Sequence, residues 1–229
     1  MDPALVRLEG LHALKHALRF AAHVEQALTS DRDAVLRLAA EVCPDLLEVL
    51  AELLVEVTPE LLVDDRGRAL PSPVVALARR PAWTLFDLAS RMDRPVVLLE
   101  RPTHLGNLGA CIRVAAAADA AGLLSTGSAD PWHPGAVRGA AGLQFALPVL
   151  GPLEGIPALD GRPLIAVDPE GDVNADVPAN AILAFGSERE GLTEATKERA
   201  DAILALPMRS GVSSLNLATS VAATLYRGR

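Results

Sequence analysis

The 229 residues hold only two cysteines, Cys43 and Cys111. They have no metal-ligand spacing and make a poor disulfide framework, so a reducing cytoplasm is the expected compartment and no metal is expected. Half of the residues are hydrophobic, yet no apolar run approaches the ~18–20 uncharged residues of a membrane span. The opening "MDPALVRLEGLHALKHAL" lacks a basic flank followed by an apolar segment and a small-residue cleavage site. A soluble, unexported protein with no membrane partner is expected. Lysine is nearly missing: apart from Lys15 and Lys197 every basic side chain is arginine. The formal charge is −8, from 21 Lys+Arg against 29 Asp+Glu, which argues against a nonspecific nucleic-acid coat while leaving room for a local basic site.

Several signatures are also missing. The segment "GNLG" after the first strand of the second half supplies G-x-x-G, not the Rossmann G-x-G-x-x-G. "GSEREGLT" (Gly186 to Thr193) has P-loop glycine spacing, but Leu192 stands at the lysine position and Glu188 and Glu190 would repel a phosphate. No G-x-S-x-G elbow, His-Glu-x-x-His pair or cysteine cluster occurs, so serine-hydrolase and zinc chemistry have no support.

What is present is a rhythm of helices and strands with no internal repeat. The length exceeds the ~100–200 residues usual for one domain. In the first ninety residues, "GLHALKHALRF", "DRDAVLRLAAEV" capped by Asp31, and "PDLLEVLAEL" read as helices, and "LVEV" and "PVVALAR" as strands. This is an α/β module with a boundary near "ASRMDRP".

From Pro95, "VVLLE", "LLSTG", "FALPVL", "PLIAVD", "AILAFG" and "AILALP" read as strands. Gly106 to Ala121, "HPGAVRGAA", "LTEATKERA" and "SLNLATSVAATLY" read as helices between and after them. Continuous apolar strands alternating with helices predict a parallel sheet covered on both faces. In such a sheet ligands sit beyond the carboxyl ends of the strands, where "ERPTHLGNLG", "FGSEREGL" and "PMRSGVSSLN" fall. Those loops offer backbone, with Arg113, Glu188, Ser214 and Asn216 as polar groups. Gly186 and Gly191 would admit close approach of a flat ligand. An adenosine-type ligand without a phosphate suits them.

"NLGACIR" (107–113), "AILAFGSEREGLTEATKERADAILALPM" (181–208) and "SSLNLATSVAATLY" (213–226) resemble, in order and spacing, motifs 1, 2 and 3 of the SpoU, or TrmH-like, RNA 2′-O-ribose methyltransferases. "AVRGAAGLQFALPV" resembles the family's Arg-x-Ser-x-Gly-Ala segment. The first ninety residues resemble the substrate-binding domain of the ribosomal-RNA branch, which has a ribosomal-protein-like fold. The resemblance implies an α/β protein with an RNA-binding domain over residues 1–92 and a methyltransferase domain over 95–229. It also implies a deep trefoil knot in the C-terminal parallel-sheet domain, a homodimer, S-adenosylmethionine as cofactor, and RNA as substrate, ribosomal in preference to transfer RNA.

By the same resemblance, Arg113, Asn216, Ser214 and Glu188 are catalytic. Phe185, Gly186, Ser187, Gly191, Leu206, Met208, Ser214 and Leu215 hold the cofactor, and Asn107, Arg113 and Arg138 meet the substrate. Two positions depart from the pattern: His104 falls where many relatives keep Asn, and Ala140 replaces a frequent Ser. A noncatalytic RNA-binding protein on the same fold and a base-nitrogen RNA methyltransferase stay open as alternatives.

Each group also has a plainer reading. Arg113 could snorkel from a helix to the surface, Glu188 could complement a helix dipole, and Asn216 or Ser214 could cap the last helix. His104 and His133 could be ordinary loop histidines, and Cys111 a small buried hydrophobe. Arg79, Arg80, Arg91 and Arg94 could form a solvated hinge or a phosphate track. In the functional reading, two roles for Arg113 are open: transient proton acceptor, or permanent cation clamping a phosphate and stabilising alkoxide charge. The second needs no unusual pKa.

Overall fold

A computed structural model of the chain describes residue 2 and residues 4–63, 67–70 and 73–227. The chain divides into two compact units, Met1–Ala82 with Ala141–Ala146, and Trp83–Ala140 with Leu147–Arg229.

The first unit runs β1 (Leu5–Glu9), α1 (Leu11–Arg19), β2 (Val24–Thr29), α2 (Arg32–Val42), α3 (Leu47–Leu53), β3 (Leu54–Glu56) and β4 (Val74–Arg79). Its sheet has the order β1-β4-β2-β3. β4 is antiparallel to β1 and β2, and β3 is parallel to β2. The expected cap of α2 is present: the Asp31 side chain accepts from Ala34 N at 2.8 Å, satisfying an amide the helix cannot. Pro44 opens a short 3-10 turn that leads into α3. β1, "LVRLE", is a strand that pattern reading left out. The 141–146 segment packs on α1: a Cβ on Gly142, whose φ is +75°, would lie 2.4 Å from Ala13 O, and His16 Nδ1 donates to Ala141 O at 2.7 Å.

The second unit opens with α4 (Leu85–Ala89), whose Thr84 and Asp87 form a capping box. It continues β5 (Val96–Leu99), α5 (Leu105–Ala117), β6 (Gly122–Thr126), α6 (Pro134–Ala140), β7 (Val149–Leu153), β8 (Leu164–Asp172), β9 (Ile182–Phe185), α7 (Glu194–Arg199), β10 (Ala202–Leu204) and α8 (Leu217–Leu225). The six strands are parallel in the order β10-β8-β9-β5-β6-β7. Every residue of β5 and β9 is buried, as continuous apolar runs require in a sheet covered on both faces. Val96, Leu98, Leu124, Leu164, Ala166, Ile182 and Ala184 form a core cluster with Leu88 of α4.

Two expected boundaries move. The motif 1 helix ends at Ala117, not Ala121, because Asp119 takes a left-handed φ of +47° and its carboxylate receives Arg91 at 2.9 Å and Arg94 at 3.1 Å. The expected strand "FALPVL" begins only at Val149: Leu143–Phe145 form a 3-10 turn, and Pro148 has no N–H to donate.

Between α5 and α6 the packing is backbone to backbone. A Cβ on Gly109 would lie 2.3 Å from Ala136 O and 2.8 Å from Ala140 N. The alanine that departs from the family pattern, Ala140, is fully buried there.

Arg162, 7 % exposed, donates to the carbonyls of Leu88, Arg91, Arg94 and Asn180 at 2.7–2.9 Å. It thereby ties down the end of α4 and the chain leading into β5.

Candidate active site

Beyond the carboxyl ends of β9 and β5, beside the middle of β8, lies a cavity of about 490 Å³, within the range of small-molecule sites. Three stretches that the sequence singles out meet there: His104 and Asn107 at the start of α5; Phe185, Gly186, Ser187, Glu188, Gly191 and Leu192 after β9; and Leu206, Met208 and Ser214 to Leu217 before and in α8. Val167, Asp168, Pro169 and Ser220 complete the wall. All eight residues expected to hold the cofactor line it, as do Asn107, Glu188 and Asn216. Arg113 and Arg138 do not.

The loop after β9 is a tight turn. Ser187 and Gly191 exchange backbone hydrogen bonds at 3.2 and 3.1 Å, and Gly191 has φ +70°, a conformation that favours glycine. A Cβ on Gly186 would fall 1.9 Å from Gly191 C and 2.1 Å from Leu192 N. Gly186 is therefore demanded first by closure of the loop on itself, not by approach of a ligand. The following helix, α7, is six residues long and capped by Thr193, whose side chain accepts from Thr196 N.

Glu188 is braced by the neighbouring loop. Its carboxylate accepts from Asn107 Nδ2 at 2.8 Å, Thr103 Oγ1 at 3.0 Å and Thr103 N at 3.2 Å. Burial alone would raise its pKa; the hydrogen bonds from Asn107 and Thr103 outweigh that and hold it below the usual carboxylate range. The helix-dipole reading of Glu188 falls away, since Glu194 occupies the first turn of α7. Asn216 caps α8, accepting from Ala218 N at 3.0 Å and Thr219 N at 3.4 Å. Its Nδ2 donates to Asn107 Oδ1 at 3.3 Å. One hydrogen-bonded chain, Thr103–Glu188–Asn107–Asn216, thus links the three motifs.

Other groups take plainer places. Cys111 is fully buried, and burial first, then the Glu188 charge, pushes its thiol pKa far up; it is a packing residue. His133 Nδ1 accepts from Gly135 N at 3.0 Å at the start of α6. Arg79 pairs with Glu25, and Arg91 and Arg94 with Asp119. Arg113 is exposed on α5, six residues or about 9 Å of helix rise beyond Asn107. Among the described residues the side chains of Arg113, Arg189 and Arg209 make no hydrogen bond or ion pair. Arg101, at a left-handed φ of +51°, pairs with Glu190 at 3.4 Å.

Pattern reading missed two acidic residues. Glu100, 7 % exposed, accepts from Thr193 N, Thr193 Oγ1 and Thr196 Oγ1 at 2.8–2.9 Å, anchoring the far end of the loop. An acidic residue closing a wholly apolar strand at the ligand edge was the available signal. Asp168 lines the cavity and pairs with Lys197 at 3.1 Å; its sequence context gave no sign of this.

The model of the SpoU rRNA methylase family matches residues 94–226. The chain belongs to this family. It is 33 % identical over 198 residues to the 23S rRNA (uridine(2479)-2′-O)-methyltransferase of Streptomyces viridochromogenes, spanning 80 % of this chain and 69 % of that one. It is also 33 % identical over 164 residues to the 23S rRNA (adenosine(1067)-2′-O)-methyltransferase of Streptomyces azureus, spanning 66 % and 60 %. Among solved structures it is similar to the SpoU methyltransferase AviRb from Streptomyces viridochromogenes in complex with AdoMet, at a TM-score of 0.77 and 28 % identity over 97 % of this chain and 88 % of that one. SpoU membership accords with the motifs at 107–113, 181–208 and 213–226, and the parallel α/β sheet is the expected one.

The cavity suits S-adenosylmethionine by its donor set. Phe185, Leu192, Leu206, Met208, Leu215 and Leu217 give apolar wall for a flat base, and Asp168 and Glu188 are the charged side chains. Among the described residues no arginine or lysine lines it, which fits a sulfonium ligand and opposes a phosphate.

Proposed function

We propose that this SpoU-family protein is an S-adenosylmethionine-dependent methyltransferase that modifies a ribose 2′-OH in ribosomal RNA. The observation that carries the reading is the convergence of all three motif loops on one cavity whose wall, among the described residues, bears carboxylates and no arginine or lysine. S-adenosylmethionine, when bound, would supply a methyl group on a sulfonium: the ribose 2′-oxygen would take the carbon, its proton would pass to water, and the carbon–sulfur pair would return to sulfur. The side chains hold the geometry. Phe185, Gly186, Ser187, Gly191, Leu206, Met208, Ser214 and Leu215 hold the cofactor. Asn107, fixed between Glu188 and Asn216, faces the cavity as a hydrogen-bonding group for the incoming ribose. Glu188 and Asn216 act by positioning it.

Arg113, exposed and unpaired among the described residues, stays cationic and clamps the phosphate beside the target ribose; its guanidinium is a poor proton acceptor. Arg138 adds a second substrate contact. Preorganised charge and proximity then supply most of the acceleration.

In this reading residues 1–92 hold the RNA, the protein works as a homodimer in the cytoplasm, and residues 95–229 carry a trefoil knot. The knot is supported by the return of the chain from β10 at the sheet edge to the cavity wall and to α5, on which α8 packs. Calorimetry with S-adenosylmethionine tests the pocket: no binding at millimolar ligand would overturn the enzyme reading.

A further inference from the structure

The two carboxylates on the cavity wall differ in what answers them. Asp168 has a cation, Lys197 Nζ at 3.1 Å, with the two side chains 11 % and 19 % exposed. Among the described residues Glu188 has none: the groups that reach its oxygens from the neighbouring loop are an amide N–H, a hydroxyl and a carboxamide, all neutral. Those three bonds satisfy the carboxylate without cancelling its charge. The nearby cations lie elsewhere: Arg101 is taken by Glu190, and Arg189 is exposed and does not line the cavity.

From this asymmetry, and resting on the proposed function, we propose that Glu188 selects the charged, methylated form of the cofactor over its demethylated product. S-adenosylmethionine carries a permanent positive sulfonium. Once its methyl has moved to the ribose oxygen, the sulfur keeps the bonding pair and is a neutral thioether. An uncompensated carboxylate on the wall attracts the first and has no such interaction with the second. Two unit charges across a cavity of this size, at the effective dielectric of a protein, interact strongly enough to move a ratio of affinities about tenfold. The consequence is directional: the grip on the cofactor slackens when the methyl leaves, which favours exchange of product for fresh donor. Asp168, already neutralised by Lys197, contributes little to this discrimination.

The test is calorimetric. The dissociation constants of S-adenosylmethionine and S-adenosylhomocysteine are measured on the full-length wild type, Glu188→Gln and Glu188→Asp, with each fold checked by thermal melting. The expected result is that Glu188→Gln weakens S-adenosylmethionine about tenfold more than S-adenosylhomocysteine. Glu188→Asp, which keeps the charge, should hold the wild-type ratio even if both affinities drop. Equal loss of the two ligands in Glu188→Gln, to beyond detection or not, would make Glu188 a loop brace and overturn the selection. So would a ratio that shifts in Glu188→Asp as it does in Glu188→Gln. Failure of the wild type to bind either ligand would overturn the proposed function itself.

Discussion

The wall of the cavity, built from the three motif loops and β8, and the exposed surface of those loops and of α5 carry opposite charge. The wall holds Asp168 and Glu188; the loops and α5 put Arg101, Arg113, Arg189 and Arg209 on the exposed surface. A formal charge of −8 describes neither region. The division matches the two ligands of the proposed reaction, a cation that enters the cavity and a polyanion that stays outside it. Adjacent residues serve different sides: Glu188 faces the cavity and Arg189 solvent, Met208 lines it and Arg209 does not.

The largest effect expected is on the wall. Gly186→Val should abolish cofactor binding, because its Cβ would collide with the backbone of Gly191 and Leu192 and force the loop open. Calorimetry that still finds wild-type affinity would show that the turn does not shape the pocket. Next comes the outer region. Arg113→Ala should cut turnover by about 10²–10³, the usual loss on removing one oxyanion donor, and leave cofactor affinity nearly unchanged. Arg113→Lys should keep part of the activity, since an ammonium supplies charge without the planar two-pronged grip. Loss of cofactor affinity in Arg113→Ala would erase the distinction between wall and mouth.

How much of this was legible follows from the range of the interactions. Gly186, Gly191, Glu188 and Asn216 announced themselves because motif and turn chemistry are local. The strands of the second unit were visible as apolar runs, since a sheet covered on both faces leaves no alternation to decode. The stop of α5 at Ala117 was hidden, because Ala115 to Ala118 carry no signal and the stop is set by Asp119 with the distant Arg91 and Arg94. Asp168 with Lys197 and Glu100 with Thr193 were invisible for a similar reason: the partners are 29 and 93 residues apart. The part of loop closure in demanding glycine at 186 was not foreseen, since only the folded loop shows what fills the space beside it.

A smaller effect should separate the remaining arginines from the wall. Arg189→Ala and Arg209→Ala should each lower RNA affinity and reduce the slope of log affinity against log salt by about 0.7–0.9, one phosphate contact apiece, with cofactor affinity unchanged. An unaltered slope would remove that residue from the RNA surface. The smallest effect concerns acid. A carboxyl whose folded pKa is depressed contributes stability that is present above its unfolded pKa and lost as pH falls through the folded one. Glu188 is such a group, so its contribution to stability should be present at neutral pH and be lost as pH falls through its lowered pKa, which the Glu188→Gln protein should not show when melting temperature is followed against pH. The same acid dependence of melting in wild type and Glu188→Gln would show the brace from Asn107 and Thr103 to be weaker than drawn.

The central claim is that the cavity serves methyl transfer to a ribose hydroxyl. Ribosomal RNA incubated with the protein and methyl-labelled S-adenosylmethionine, then digested with nuclease or alkali, should release the label in resistant 2′-O-methyl dinucleotides, and Arg113→Ala should lose most of that product. Label recovered on a base, or no label transferred by a protein that binds the cofactor, would contradict it.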